Sequence, residues 1–81
     1  MTAEFDPREN PEFRIIEELI DEHVRVDCNL IQIDDQTWAI HGSIAVDGQV
    51  IMAEFTNQSD AELALERIVA AEARSLQRRN Q

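Results

Sequence analysis

Lysine and tyrosine are absent from this chain of 81 residues; cysteine and tryptophan occur once each, glycine and proline twice each. A single cysteine excludes a disulfide within the chain. Two glycines exclude a glycine-rich phosphate loop, which needs close backbone approach at several positions. No apolar run nears the ~20 residues that span a bilayer. The opening Met1-Thr2-Ala3-Glu4-Phe5-Asp6-Pro7 lacks the basic and apolar regions of a secretion signal. These scarcities lead to the expectation of a cytoplasmic protein with no membrane contact and no bound cofactor.

What the chain has in excess is negative charge, with 17 acids against 7 basic residues and a net of −10. The excess is uneven: residues 1–62 hold 15 acids and 3 arginines, whereas residues 63–81 hold 2 acids and 4 arginines. Such a field repels phosphate backbones and anionic lipid and attracts basic protein surfaces. The expected partner is therefore a protein or a second copy of the chain, and not nucleic acid bound directly. Acidic surfaces also keep small proteins soluble, and arginine without lysine is equally what a GC-rich genome or a salt-adapted proteome gives. An apolar content of 43% is that of a folded chain rather than a disordered one. We expect one domain over residues 1–81, with residues 1–10 and 78–81 as flexible tails.

The clearest local signal is Asp47-Gly48, flanked by two runs rich in β-branched residues, and it predicts a hairpin with a two-residue turn. Counting outward, Ile44 then opposes Ile51, Gly42 opposes Ala53 and Ile40 opposes Phe55 on a core face. His41 opposes Glu54 and Ser43 opposes Met52 on the other. Upstream, Val24, Val26, Cys28 and Leu30 alternate with polar residues, the period of a strand half buried against a core. Joining that strand through a three-residue loop, Asp34 to Gln36, sets Val26 opposite Ile44, Cys28 opposite Gly42 and Leu30 opposite Ile40.

Helices bracket the strands. Asn10-Pro11-Glu12 reads as a capped start, and Phe13, Ile16, Leu19, Ile20 and His23 recur at helical spacing over residues 11–23, with Arg14, Glu17, Glu18, Asp21 and Glu22 facing out. Asp6-Pro7 offers an earlier capped turn. Ser59-Asp60-Ala61-Glu62 matches a capping box ahead of a stripe of Ala61, Leu65, Ile68, Val69 and Leu76, with Ala64 and Ala71 beside it. The stripe's alanines allow close approach to the sheet over Gly42. The expected fold is α+β: αβββα order, a three-stranded antiparallel sheet and both helices packed on one face. Double-stranded-RNA-binding domains share that order, but their basic helix start and lysine-rich contacts are missing here, so the likeness bears on fold and not on function. In size, charge and layout the chain also resembles small acidic phage-encoded inhibitors that occupy nucleic-acid-binding grooves.

If both helices lie on one face, the other is open, and it carries Ile31, Ile33, Ala39, His41, Val50, Met52 and Glu54. A partly apolar open face marks a contact surface. The expected function is thus a non-enzymatic protein-interaction module, a homodimer or a regulator of a larger and basic surface. In a nucleic-acid-mimic version, Glu17, Glu18, Asp21, Glu22, Asp34 and Asp35 stand in for phosphates. The alternative is an accessory subunit whose open face completes an oligomer; the more distant one is a small enzyme using His41 with Glu54. His23, Cys28 and His41 stand at no metal-motif spacing, so no metal is expected.

Overall fold

A computed structural model describes residues 6–79, without the side chain of Arg79. It contains a 3-10 turn Pro7–Glu9, helix α1 (Pro11–Asp21), strands β1 (Val26–Asp34), β2 (Thr37–Ile44) and β3 (Val50–Phe55), and helix α2 (Gln58–Arg79). The strands form one antiparallel sheet in the order β1-β2-β3. The αβββα, α+β architecture is as the spacing predicts. No helix among the described residues is long and apolar enough to cross a membrane.

The first turn begins at Asp6, whose carboxylate accepts from the Arg8 N–H, with Pro7 at the first helical position. Asn10 ends that turn and caps α1: its Oδ1 accepts from the Glu12 and Phe13 amides at 3.0 and 3.2 Å, and Pro11 needs no partner at the next position. The Asn10 amide also donates to the Glu54 carbonyl at 2.8 Å, tying the start of α1 to β3. Of the flexible tails expected at 1–10 and 78–81, residues 1–5 and 80–81 lie outside the described residues, residues 6–10 form the turn and cap just given, and residues 78–79 end α2, with Arg78 paired to Asp21.

The core is one layer between the helices and one sheet face. Phe13, Ile16 and Ile20 of α1 and Ala61, Ala64, Ile68 and Ala71 of α2 meet Val26, Ile40, Ile44, Ala53 and Phe55. Phe13 stacks edge-on against Phe55, with ring centroids 6.5 Å apart. Trp38 faces the same core, half buried and directly across from Phe55. The β1–β2 register is the expected one, with Val26 opposite Ile44, Cys28 opposite Gly42 and Leu30 opposite Ile40. The connection differs in detail: Asp34 pairs with Thr37, so the turn is Asp35-Gln36 and Ile33 is an extra residue bulging from β1. The Asp34 carboxylate accepts from the Gln36 amide at 2.9 Å, which shapes a turn that has no glycine.

The second hairpin departs further. Ser43 opposes Val50, Gly42 opposes Ile51, Ile40 opposes Ala53 and Trp38 opposes Phe55, a slip of two residues from the two-residue turn. The loop has four residues, Ala45 to Gly48, closed by the Gly48 amide donating to the Ile44 carbonyl at 2.9 Å and Ile44 donating to Gln49 at 2.8 Å. A type I′ turn needs positive φ at both central residues, whereas here Gly48 alone provides it (φ +73°) and Asp47 uses its carboxylate to accept from the Gln49 amide. The longer loop also sets small residues against large ones, Gly42 against Ile51 and Ala53 against Ile40, which suits a surface on which helices lie. Because the slip is even, every residue still paired in the strands stays on its expected face, while Val46 leaves the strand for the loop and is 88% exposed.

Two further expectations need correction. Ile16 of α1, not an alanine of α2, lies over Gly42: a Cβ there would stand 3.1 Å from Ile16 Cδ1. The α2 cap is Asn57, two residues before Ser59, with Asn57 Oδ1 accepting from the Asp60 amide at 2.8 Å and the Asn57 side-chain amide donating to the Asp60 carboxylate. Asn57 and Asp60 have the cap-to-third-residue spacing that Ser59 and Glu62 also have, and the earlier pair starts the helix sooner.

Candidate functional site

The face turned away from the helices is a grid that the two registers define. Its rows across β1, β2 and β3 are Ile31-Ala39-Glu54, Asn29-His41-Met52 and Asp27-Ser43-Val50, with the bulged Ile33 beyond the first row. His41 is therefore the centre of the face, flanked by Asn29 and Met52. The expected His41–Glu54 pairing is corrected: Glu54 lies across from Ala39 and only diagonal to His41, because the longer hairpin loop shifts β3 by two residues. A diagonal pair stands about 7–8 Å apart, a looser relation than that of two directly opposed residues.

Exposure sorts the apolar residues of this face. Ile33, Val50 and Met52 are exposed at 46%, 49% and 38%, and Ile31 is half buried. Ala39, expected among the contact residues, is fully buried and offers a partner no surface: a methyl group on the central strand sinks between its neighbours Ile31 and Glu54. The face is thus two apolar flanks, Ile31 and Ile33 on β1 and Val50 and Met52 on β3, divided by a polar centre of His41 and Ser43.

The acids expected to work together do not form one patch. Glu17 is buried, its carboxylate accepting from Arg67 Nε at 2.8 Å and standing 3.4 Å from Arg8 Nε. It lies four residues after Phe13 and three before Ile20, inside the stripe that faces α2, so its charge is matched within the molecule. Asp21 pairs with Arg78 at 3.4 Å. Glu18 and Glu22 remain exposed near the start of β1, whereas Asp34 and Asp35 stand at its far end. Nine strand residues, roughly 30 Å, separate the two groups. Hydrogen bonds from the Gln36 amide and from Thr37 hold the Asp34 carboxyl below its ordinary pKa.

One arrangement escaped the reading of the sequence. Helix α1 ends with Val24 donating to the Leu19 carbonyl at 2.9 Å and His23 donating to Ile20 at 3.0 Å, a Schellman cap in which His23 takes the left-handed position at φ +67°. Its Nδ1 meets Ser75 Oγ of α2 at 2.8 Å. Ser75 is buried, and it closes one wall of a cleft of about 410 Å³ lined by Ile20, Val24, Val26, Glu72 and Leu76 among others. The missing signal was a glycine after Glu22; histidine is one of the few other residues that tolerate that backbone state. Serine beside histidine resembles a nucleophile and its base, but this serine sits within the last two turns of α2, where the backbone amides are already bonded and offer no oxyanion site.

Cys28 faces the core side and is half buried; burial, then the charges of Glu72 and Asp27, push its thiol up to about 11. Among the described residues no three His, Cys, Asp or Glu side chains are grouped so as to hold a metal ion. Compared with protein-family models, with curated proteins and with solved structures, the chain has no match, so the residues themselves carry whatever is to be said of its function.

Proposed function

We propose that this protein is a non-enzymatic interaction module that docks the helix-free face of its sheet onto a partner protein in the cytoplasm. The observation that carries the reading is the exposure of Ile33, Val50 and Met52 on a sheet face that no described helix covers, around a polar centre at His41. Apolar flanks about a polar centre suit a contact surface better than a reaction site: His41 lacks a directly opposed carboxylate, and the cleft described above lies on another side of the molecule. The net charge of −10 favours a basic partner surface and speeds encounter with it. The exposed acids, Glu18, Glu22, Asp35 and Glu54, serve that field rather than tracing a row of phosphates.

The test is capture from the native host with the protein and with Val50→Asp/Met52→Asp as bait, the variant first being shown to keep its helix and strand content. A bound protein that the double variant loses, and whose retention falls as salt is raised from about 50 mM to about 500 mM, is the expected result. A partner retained equally by both baits overturns this use of the face.

A further inference from the structure

A second surface has features that the helix-free face does not explain. β1 is an edge strand, and among the described residues nothing pairs with its outer side. Ala45 donates to the Arg25 carbonyl at 3.2 Å, which sets the phase of the ladder: Asp27, Asn29 and Ile31 exchange bonds with β2, while Val26, Cys28, Leu30 and Gln32 turn their N–H and C=O groups outward. Edge strands usually carry lysine, proline or inward-pointing charge as guards. The outward positions of β1 carry none of these, and the one guard on the strand, the bulge at Ile33, lies beyond them. The other edge, β3, is shorter, six residues against nine, and the Asn10 amide caps its Glu54 carbonyl.

Beside this edge runs the outer flank of α2, where Val69 and Leu76 are 58% and 57% exposed and Leu65 is half buried. They lie outside the line of alanines that touches the core. Glu72, Ser75 and Leu76 line one cleft with Val24 and Val26, so α2 runs antiparallel to β1 with its later turns beside the strand's beginning. Val69 is one turn earlier, about 4.5 Å back along the helix, or about one and a half strand residues. Counted from Cys28, the β1 residue that the Glu72 charge acts on, that sets Val69 beside Asn29 and Leu30, the middle of β1.

We propose that the outer edge of β1 and the adjoining flank of α2 form the interface for a second copy of this chain, the two β1 strands pairing antiparallel about a twofold axis to give a six-stranded sheet. Three features are self-complementary under that symmetry. The outward-turned positions pair with themselves in registers centred on Asn29 or Leu30. Each brings Arg25, at the start of β1, across from residues 33–35 of the second copy, the segment that ends in Asp34 and Asp35, whereas a parallel pairing sets like charges together. Val69, level with the axis, meets its own counterpart, and Leu76 approaches Leu65. This surface is separate from the helix-free face and does not rest on its proposed use; pairing would join two such faces into one.

Sedimentation velocity over about 1 to about 200 micromolar tests it. The expected result is a dimer dissociating in the micromolar range. Val69→Glu sets two carboxylates side by side at the axis on a residue that is already exposed, so its fold is kept while dissociation rises at least about tenfold. Gln32→Pro removes one outward N–H without touching the β1–β2 bonds and weakens the dimer similarly. Met52→Asp, on the helix-free face, leaves self-association unchanged. A monomer throughout the range overturns the proposal and leaves the edge to a foreign strand. So does a dimer that Met52→Asp abolishes and Val69→Glu spares, which would place the twofold on the sheet face.

Discussion

Cys28 provides a measurement that few chains allow. Its thiol is pushed from 9.0 to about 11, first by burial and then by Glu72 and Asp27. A pKa raised in the folded state means that folding favours the neutral thiol. The resulting stability is fully present below about pH 9 and is lost as pH rises toward 11. With no lysine and no tyrosine in the chain, Cys28 is the one side chain that titrates in that window. Thiolate absorbance in the folded protein is expected to titrate near 11 free of any phenolate signal, and alkylation at neutral pH to be slow until the protein is unfolded. Cys28→Ala should abolish the fall in stability between pH 9 and pH 11 seen by urea denaturation. A thiolate titrating at its ordinary value would show that β1 and α2 do not close over it.

At the scale of elements, the hairpin between β2 and β3 depends on one backbone state, Gly48 at φ +73°, and a Cβ there meets nothing within 4 Å. Gly48→Ala therefore meets no clash with neighbours and incurs only the strain of a Cβ at a left-handed backbone position, about 1 kcal/mol, read as a fall in the thermal midpoint of about 4–8 °C; no change would mean that the loop has another shape. The same hairpin shows how far a sequence can be read. Its existence, its faces and its core residues were legible from alternation around Asp47-Gly48, because side-chain period decides the face and an even slip preserves it. Its partners were not, because turn length hangs on whether Asp47 takes a positive φ or spends its carboxylate on the Gln49 amide, a choice of the order of a kcal/mol that alternation does not register. The β1 register was legible for the opposite reason, since only one loop parity buries Val26, Cys28 and Leu30 together. Glu17 was hidden by its type: a carboxylate at a core-stripe position reads as solvated until Arg67, fifty residues away, is brought against it. His23 was hidden likewise, since its bond to Ser75 spans 52 residues.

For the molecule as a whole, the uneven charge along the chain becomes a device for holding the helices together. The acids of α1 meet the arginines of the C-terminal helix, Glu17 with Arg67 and Asp21 with Arg78, and Arg8 of the first turn closes on Glu17 from the other side. One nearly buried carboxylate thus joins three elements, and the two arginines are not equivalent. Arg67 Nε is at 2.8 Å and Arg8 Nε at 3.4 Å, with the Arg8 side chain the more exposed of the two. Arg67→Met keeps the length of the stem but leaves the Glu17 carboxylate buried with the weaker partner alone, and should cost about 2 kcal/mol, roughly 10 °C in thermal midpoint. Arg8→Met removes a longer, partly solvated contact and should cost less than about 1 kcal/mol. Glu17→Met in the Arg67→Met background should restore most of the loss, because the buried charge is then gone and an apolar side chain of similar volume fills its place. Equal costs for the two arginines, or no recovery in the double variant, would mean that the helices are held by the alanine and isoleucine contacts alone, with Glu17 a passenger in the interface.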